Sequence, residues 1–259
     1  MIAGTDLSKA CILVTNDDGI NAPGLKVLEK IAKSLAREVW VVAPETEQSG
    51  ASHSLTLTQP LRMRRLGAQR YAVSGSPTDC VLFAICNLMT DNPPDLVLSG
   101  VNRGANIGDD VTYSGTVAAA MEATILEVPA IAMSQASNDE NVAHWPTAAK
   151  FGTEIVLRLV EAGWSDDIFM NVNFPNCKPE DVAGVSVVAQ GRRKAGYEIR
   201  ELVDPRLQKY YWIGPAVSRT QRPGNTDYQA LCRREIAVTP LHMDLTHREA
   251  LRTLKKKLQ

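Results

Sequence analysis

Short apolar runs recur along the chain, separated by stretches whose apolar residues return with helical period. "CILVT", "VWVVAP", "YAVSG", "DLVLSG", "AIAMSQ" and "FMNVNF" are compact, rich in β-branched and small apolar residues, and bounded by Gly, Pro, Asn or Asp, which predicts strands. Between the first two, Leu25, Leu28, Ile31, Ala32 and Leu35 share one helical face while Lys26, Glu29, Lys30 and Lys33 take the other. Pro23 suits the first turn of that helix. Strands apolar on both faces, alternating with helices, predict a mainly parallel sheet covered on both sides, a doubly wound α/β fold. In such sheets ligands gather beyond the carboxyl ends of the strands, so the residues there carry the functional argument.

The alternation stops near Gln190. From Gln190 to Arg234 Arg, Pro, Gly and aromatics mix without a sustained period; "EIAVTPLHMD" then reads as one more strand and "THREALRTLKKKL" as a final helix. The expected organisation is a catalytic core over 1–189, an extended arm or hairpin over 190–234, and a closing strand and helix over 235–259. The arm holds ten Lys or Arg against four Asp or Glu, a net +6 that leaves −7 for the rest of the chain. It also places Tyr197, Tyr210, Tyr211 and Trp212 among those basic residues, with Pro205, Pro215 and Pro223 interrupting any long helix. Such a segment can hardly build its own core; the alternative is that it folds back on the chain's own core, and the expectation is that it, or the final strand and helix after it, packs on a partner subunit. No internal repeat or low-complexity tract is present.

Composition adds mainly exclusions. At 259 residues, 44% hydrophobic and 22% charged, the chain can bury a sizeable core. A net charge of −1 gives no indication of a stable nucleic-acid partner or an anionic membrane. "MIAGTDLSKA" lacks a basic start followed by an apolar core, and the longest apolar run, "CVLFAICNLM", is too short to span a bilayer. A cytoplasmic location is the expectation. The five cysteines are odd in number and scattered, and read as reduced thiols.

Three strand ends carry chemistry. After the first come Asn16, Asp17, Asp18 and Gly19. A polar turn before a helix accounts for one acidic residue. Two adjacent carboxylates repel, and a hard divalent cation would offset that repulsion with carboxylate, amide and hydroxyl oxygens around it. The spacing does not fit an EF-hand. After the second strand, "QSGAS" offers hydroxyls and free backbone N–H groups for an oxyanion, but no G-x-S-x-G elbow for a nucleophilic serine. His53 could serve as a general acid, but a lone loop histidine is more often a surface residue. After "DLVLSG" comes "VNRGANIGDDVTYSGTVAAAMEA". Its latter part is a helix start, with Ser114 or Thr116 as cap, whose N-terminus suits a phosphate or simply a cap. Asn102 is placed just past its strand, and Asp109 and Asp110 border the region. Neither a G-x-G-x-x-G nor a P-loop is present. In "SGSPTDCV", Thr78 is expected to cap a helix and Asp79 to favour its first turn; in "NVNFP", Asn171 and Asn173 either line the outer edge of the site or serve structure. Three oxygen-rich ends at one sheet edge point to a shared cation facing a phosphate and its attacking water.

Those stretches resemble the SurE (survival protein E) family. "ILVTNDDGINAPGL", "VVAPETEQSGASHSLTL", "SGSPTDCV", "PDLVLSGVNRGANIGDDVTYSGTVAAAMEA", "NVNFP" and "TDYQAL…IAVTPLHMDLT" carry the resemblance in order over nearly the whole chain. It implies a Rossmann-like core and one divalent cation per subunit, Mg²⁺ or Mn²⁺. It also implies hydrolysis of nucleoside 5′- and 3′-monophosphates, with exopolyphosphatase activity on short polyphosphate in some members, and homodimers or tetramers made by exchanging carboxyl-terminal segments. Carried over by position, the metal ligands are Asp17, Asp18, Ser49 and Asn102, the two aspartates being central to catalysis. Asn16, Gly50, Ser52, Ser114, Gly115 and Thr116 border the phosphate. The arm's "KAGYEIRELVDPRLQKYYWIGP" matches only in outline. Two rivals stand beside this reading. A covalent phospho-aspartate route wants two aspartates spaced by one residue, whereas "NDDG" gives adjacent ones; a non-catalytic metal- or nucleotide-binding regulator would work without turnover, its basic arm gripping RNA or polyphosphate.

Overall fold

The computed structural model describes residues 4–138, 140, 142–192, 194–218 and 224–258. The arm positions Arg193, Arg219, Arg222 and Pro223 lie outside the described residues. The elements run β1 (Cys11–Thr15), α1 (Pro23–Leu35), β2 (Glu38–Pro44), β3 (Met63–Gly67), β4 (Arg70–Val73), α2 (Pro77–Phe83), β5 (Leu96–Arg103), α3 (Gly115–Ile125), β6 (Ala130–Gln135), α4 (Trp145–Ala162), β7 (Ile168–Phe174), β8 (Gly184–Val187), β9 (Lys194–Val203), β10 (Lys209–Ser218), α5 (Asp227–Cys232), β11 (Glu235–His242) and α6 (Arg248–Leu258).

Among the described residues nine strands form one sheet in the order β3-β4-β2-β1-β5-β6-β7-β11-β8. From β4 through β7 every pairing is parallel, and antiparallel pairs occur at β3–β4 and β7–β11. The central strands β1 and β6 are buried at every position, as strands covered on both faces must be. One layer, with α1 and α4, packs on Ile12, Val14, Leu98, Ile131 and Met133; the other, with α2 and α3, packs on Leu13, Val97, Ala130 and Ala132. Alternate residues of one strand thus feed opposite cores. The doubly wound α/β architecture is the one the hydrophobic pattern predicts.

Three local expectations change. Asn102 is not past its strand but within β5, beyond a register shift in the β5–β6 pairing between Ser99 and Asn102. The helix after "SGSP" is capped by Ser76, not Thr78: Ser76 accepts from the Asp79 N–H while Asp79 accepts from the Ser76 N–H, a reciprocal capping box. Strand β3 was not foreseen, because it is exposed along its whole length and carries no apolar stripe.

The segment 190–234 divides in two. Strands β9 and β10 form a separate antiparallel hairpin, with Ile213, Trp212 and Ile199 exposed by 73%, 62% and 60%. Beyond it α5 returns to the core, where Ala230 packs with Ala237 of β11 and Val188. Strand β11 lies inside the main sheet, while α6 buries none of its residues. No helix among the described residues is long and apolar enough to cross a membrane. All five cysteines are free, and burial pushes the Cys11 thiol up to about 12, where it is an inert packing group.

Candidate active site

Strand β1 delivers its carboxylates into a knot of loops. The Asn16 amide donates from Nδ2 to the Gly19 carbonyl at 3.0 Å, closing the turn. Gly19 takes φ +94°, and any Cβ there would stand 3.2 Å from the Thr46 backbone, so the loop after β2 can lie directly on this turn. Gln48 donates its N–H to the Asp17 carbonyl at 2.8 Å and joins the two loops. Asp17 itself is buried, and its Oδ1 accepts from Thr116 Oγ1 at 2.5 Å. Asp18 is half-buried, and its Oδ2 accepts from the Arg103 N–H at 3.1 Å. The paired aspartates therefore hold the ends of β1, β5 and α3 together. Gly115 is what allows α3 so close, since a Cβ there would sit 2.8 Å from Asp17 Cβ.

A cleft of about 170 Å³ opens in front of this knot, lined by Asp17, Ser49, Gly50, Asn102, Arg103, Ala105, Asn106, Asp110, Tyr113 and Ser114. The Asn102 amide donates from Nδ2 to the Gly104 carbonyl at 2.8 Å, which leaves Oδ1 as its acceptor. Ser49 Oγ donates to Glu47 Oε1 at 2.8 Å. Ser114 caps α3 by accepting from the Val117 N–H at 3.0 Å.

The other expected site residues stand behind or beside the cleft. Asn16 is fully buried, and its Oδ1 has no hydrogen-bond partner. Thr116 is committed to Asp17. Ser52 donates from Oγ to the Thr112 carbonyl at 2.7 Å, and its N–H reaches the Tyr113 carbonyl at 3.2 Å, so it clasps the loop after β2 onto the segment before α3. His53 extends that clasp through a 2.8 Å contact with Glu122 of α3 and is not the isolated surface residue expected.

Electrostatics favour an added positive charge. Burial pushes the Asp17 carboxyl above its ordinary value, opposed by the Thr116 hydrogen bond. Burial first, and the charge of Asp17 second, push Asp18 up to about 6, against the Arg103 backbone N–H and side chain. Glu47 adds further negative charge to both. Asp17, Ser49 and Asn102 bring a carboxylate, a hydroxyl and an amide oxygen to one cleft, an all-oxygen lining of the kind that suits a hard divalent cation, while Asp18, the next residue, is not part of that lining. No group of three or more His, Cys, Asp or Glu able to hold a metal occurs among the described residues.

Supporting residues came from farther away. Asn173 Oδ1 accepts from the Asn106 N–H at 2.8 Å, Asn171 and Asn173 donate to the Asn106 carbonyl, and Asn106 Nδ2 donates to Ser134 Oγ at 2.9 Å. The two asparagines of "NVNFP" thus fix the loop after β5 and do not line the cleft. Asp227 of α5, buried, accepts from the N–H groups of Gly108, Gly191 and Tyr228 at 2.8, 2.9 and 2.8 Å, and Gln190 donates to the Gly108 carbonyl. Arg103 and Tyr113, both on the cleft wall, were not singled out from the sequence; the quoted "VNRG" and "DDVTYSG" contain them, but only the fold shows which way they face. Tyr113 also meets Tyr197 of the hairpin edge-on, ring centroids 6.3 Å apart.

Residues 12–197 match the family model described as Survival protein SurE. A curated protein of Paramagnetospirillum magneticum named 5′-nucleotidase SurE is 52% identical over 250 residues, 96% of each chain. One of the same name from a Methylobacterium species is 54% identical over 243 residues, 93% of this chain and 96% of that one. The crystal structure of the Sure protein from Aquifex aeolicus superposes with a TM-score of 0.83 at 38% identity, covering 96% of this chain and all of the other.

Proposed function

We propose, from the premise that this chain belongs to the SurE family, that it is a divalent-cation-dependent phosphatase hydrolysing nucleoside monophosphates to nucleoside and phosphate. One observation carries the reading: Asp17, Ser49, Asn102 and Ser114, from four separate stretches of sequence, line a single cleft at the carboxyl edge of the sheet. The relatives named 5′-nucleotidase SurE supply the substrate class. The 3′-monophosphates and short polyphosphate remain further candidates of the same phosphate chemistry.

In this reading Asp17, Asp18, Ser49 and Asn102 hold the cation, Ser49 turning from Glu47 to do so. The bound cation would neutralise phosphate charge and acidify a water. Thr116 fixes Asp17, and Arg103 N–H fixes Asp18, so the carboxylates are oriented before anything binds. Backbone N–H groups at Gly50 and at Gly115, where α3 begins, receive phosphate oxygens, and the Arg103 side chain adds a positive charge at the cleft wall. His53 is engaged with Glu122 and is given no role in this reading.

The subunit is proposed to work as a homodimer or tetramer through the hairpin of β9 and β10 and through α6, whose exposed apolar residues support that use. A cytoplasmic location agrees with five unpaired cysteines. Release of inorganic phosphate from AMP with Mg²⁺ or Mn²⁺, and its loss under chelation, tests the function. Tight binding of AMP and cation without phosphate release would assign a regulator instead.

A further inference from the structure

At the far end of the same sheet edge lies a basic recess of about 440 Å³. Lys178, Arg234, His144, Asn138 and Asn176 line it, and Asp181 adds a single carboxylate. No ion pair among the described residues engages Lys178 or Arg234, so the recess holds two permanent positive charges against one negative. Arg234 is also an unusual residue for its place. It follows α5 with φ +59°, a left-handed position that ordinarily falls to glycine, and its carbonyl accepts from the Ala183 N–H at 2.9 Å. Glycine would serve that backbone better; what arginine adds is a guanidinium in the recess. The rim is tied together. Asn176 Oδ1 accepts from the His144 N–H at 3.1 Å, and its Nδ2 donates to the Val142 carbonyl at 3.3 Å. Asn138 Oδ1 accepts from the Val142 N–H at 2.8 Å, which leaves its Nδ2 as a further donor. Cationic side chains with an amide donor are the groups that receive phosphate oxygens of a nucleic-acid backbone.

The recess is continuous with the catalytic cleft. That cleft shares Ala105 and Asp110 with a middle cavity of about 570 Å³, which in turn shares Asn138 and Asn176 with the recess. Strand β1, which ends on the paired aspartates, and β7, which leads to Asn176 and Lys178, are three steps apart in the sheet, about 14 Å at the usual strand spacing. Phosphates at the two places therefore belong to a molecule longer than a mononucleotide.

We propose that the recess receives a downstream phosphate of a short 5′-phosphorylated oligonucleotide whose terminal phosphate lies at the paired aspartates, so that the enzyme trims that terminal phosphate from oligonucleotides as well as from mononucleotides. The reaction is the same hydrolysis: water adds to the terminal phosphorus, the bond from phosphorus to the 5′ oxygen breaks, and that oxygen leaves with the electron pair and takes a proton. The proposal rests on the nucleotidase reading above. Its test measures phosphate release from AMP and from the trinucleotide pApApA, over a range of salt, in the full-length wild type and in two variants. Arg234→Gly removes the charge and suits the backbone at φ +59°; Lys178→Gln removes the other charge. Wild type should have a lower KM for pApApA than for AMP. Loss of a charge-assisted contact is worth roughly tenfold, so KM for pApApA should rise about that much in each variant while AMP kinetics stay within about twofold. The slope of log KM for pApApA against log salt should also shrink by about 0.7 for the lost phosphate contact. A wild type that releases phosphate from AMP but not from pApApA, a KM for pApApA unchanged in both variants, or AMP and pApApA impaired alike, overturns the assignment. A wild type inactive on AMP overturns the nucleotidase reading itself, a result visible before any variant is made.

Discussion

Thr116 on α3 and Asp17 after β1 stand 99 residues apart in sequence, and the Thr116 hydroxyl donates to Asp17 Oδ1 at 2.5 Å with both residues buried. That bond fixes one carboxylate oxygen. Thr116→Val keeps the shape and removes the donor, so it should cost about 1–3 kcal/mol of stability and weaken cation-dependent turnover at least several-fold, while Thr116→Ser should retain both. Denaturant unfolding and a cation titration of activity measure the two effects; a Val variant equal to wild type in both would break the link.

Asp18 gives an inverse relation between stability and activity. Its folded-state pKa of about 6 lies above the ordinary 3.8, so between those values the native protein binds more protons than the unfolded chain. In chelator the contribution of Asp18 therefore falls as pH rises from about 4 to 6 and stays unfavourable above 6. Asp18→Asn removes the charge, and should melt higher than wild type at pH 7.5 in chelator, match it near pH 4, and have little activity with cation. A melting difference that is the same at both pH values would contradict the assignment.

Arg103 presents a positive side chain to the phosphate cleft. Charge-assisted hydrogen bonds contribute about 1.5–3 kcal/mol, so Arg103→Ala should raise KM by roughly tenfold or more. The rise should be the same for AMP and for β-glycerophosphate, because the contact is to the group they share. A selective effect on AMP would place Arg103 at the nucleoside instead.

The hairpin of β9 and β10 exposes Ile199, Tyr211, Trp212 and Ile213. Burying such a side chain stabilises by roughly 1.5–3 kcal/mol, which favours association through this face. Wild-type protein should sediment as a dimer or tetramer at micromolar concentration, and replacing Trp212 and Ile213 together with Ser should shift it toward monomer. A monomeric wild type counts against the whole arrangement.

How much of this was written in the sequence depends on range. The strands from Cys11 and Ala130 and the helix from Pro23 are local patterns of burial and capping, and they could be read directly; the cap of α3 was narrowed to Ser114 or Thr116, and the structure gives it to Ser114. The two aspartates were legible because their mutual repulsion demands an explanation at the strand end itself. The supports were not: His53 and Glu122, or Asp227 and Gly108, become neighbours only when α3 and α5 have packed. Asn102 was misplaced because nothing in "SGVNR" announces that β5 resumes pairing with β6 after its shift. Ser76 lost the cap to Thr78 in the reading because either hydroxyl satisfies the pattern, and only the reciprocal bond with Asp79 decides between them.

Asp227 gives the hairpin a fulcrum. One carboxylate grips Gly108, in the loop beside the cleft, and Gly191, at the hairpin's root, while Tyr197 farther along the hairpin leans on Tyr113 at the cleft rim. The hairpin is thus moored at its root and again farther along, and each mooring ends on a residue that borders the cleft, so a change in how the hairpin packs reaches the cleft mouth through Gly108 and Tyr113.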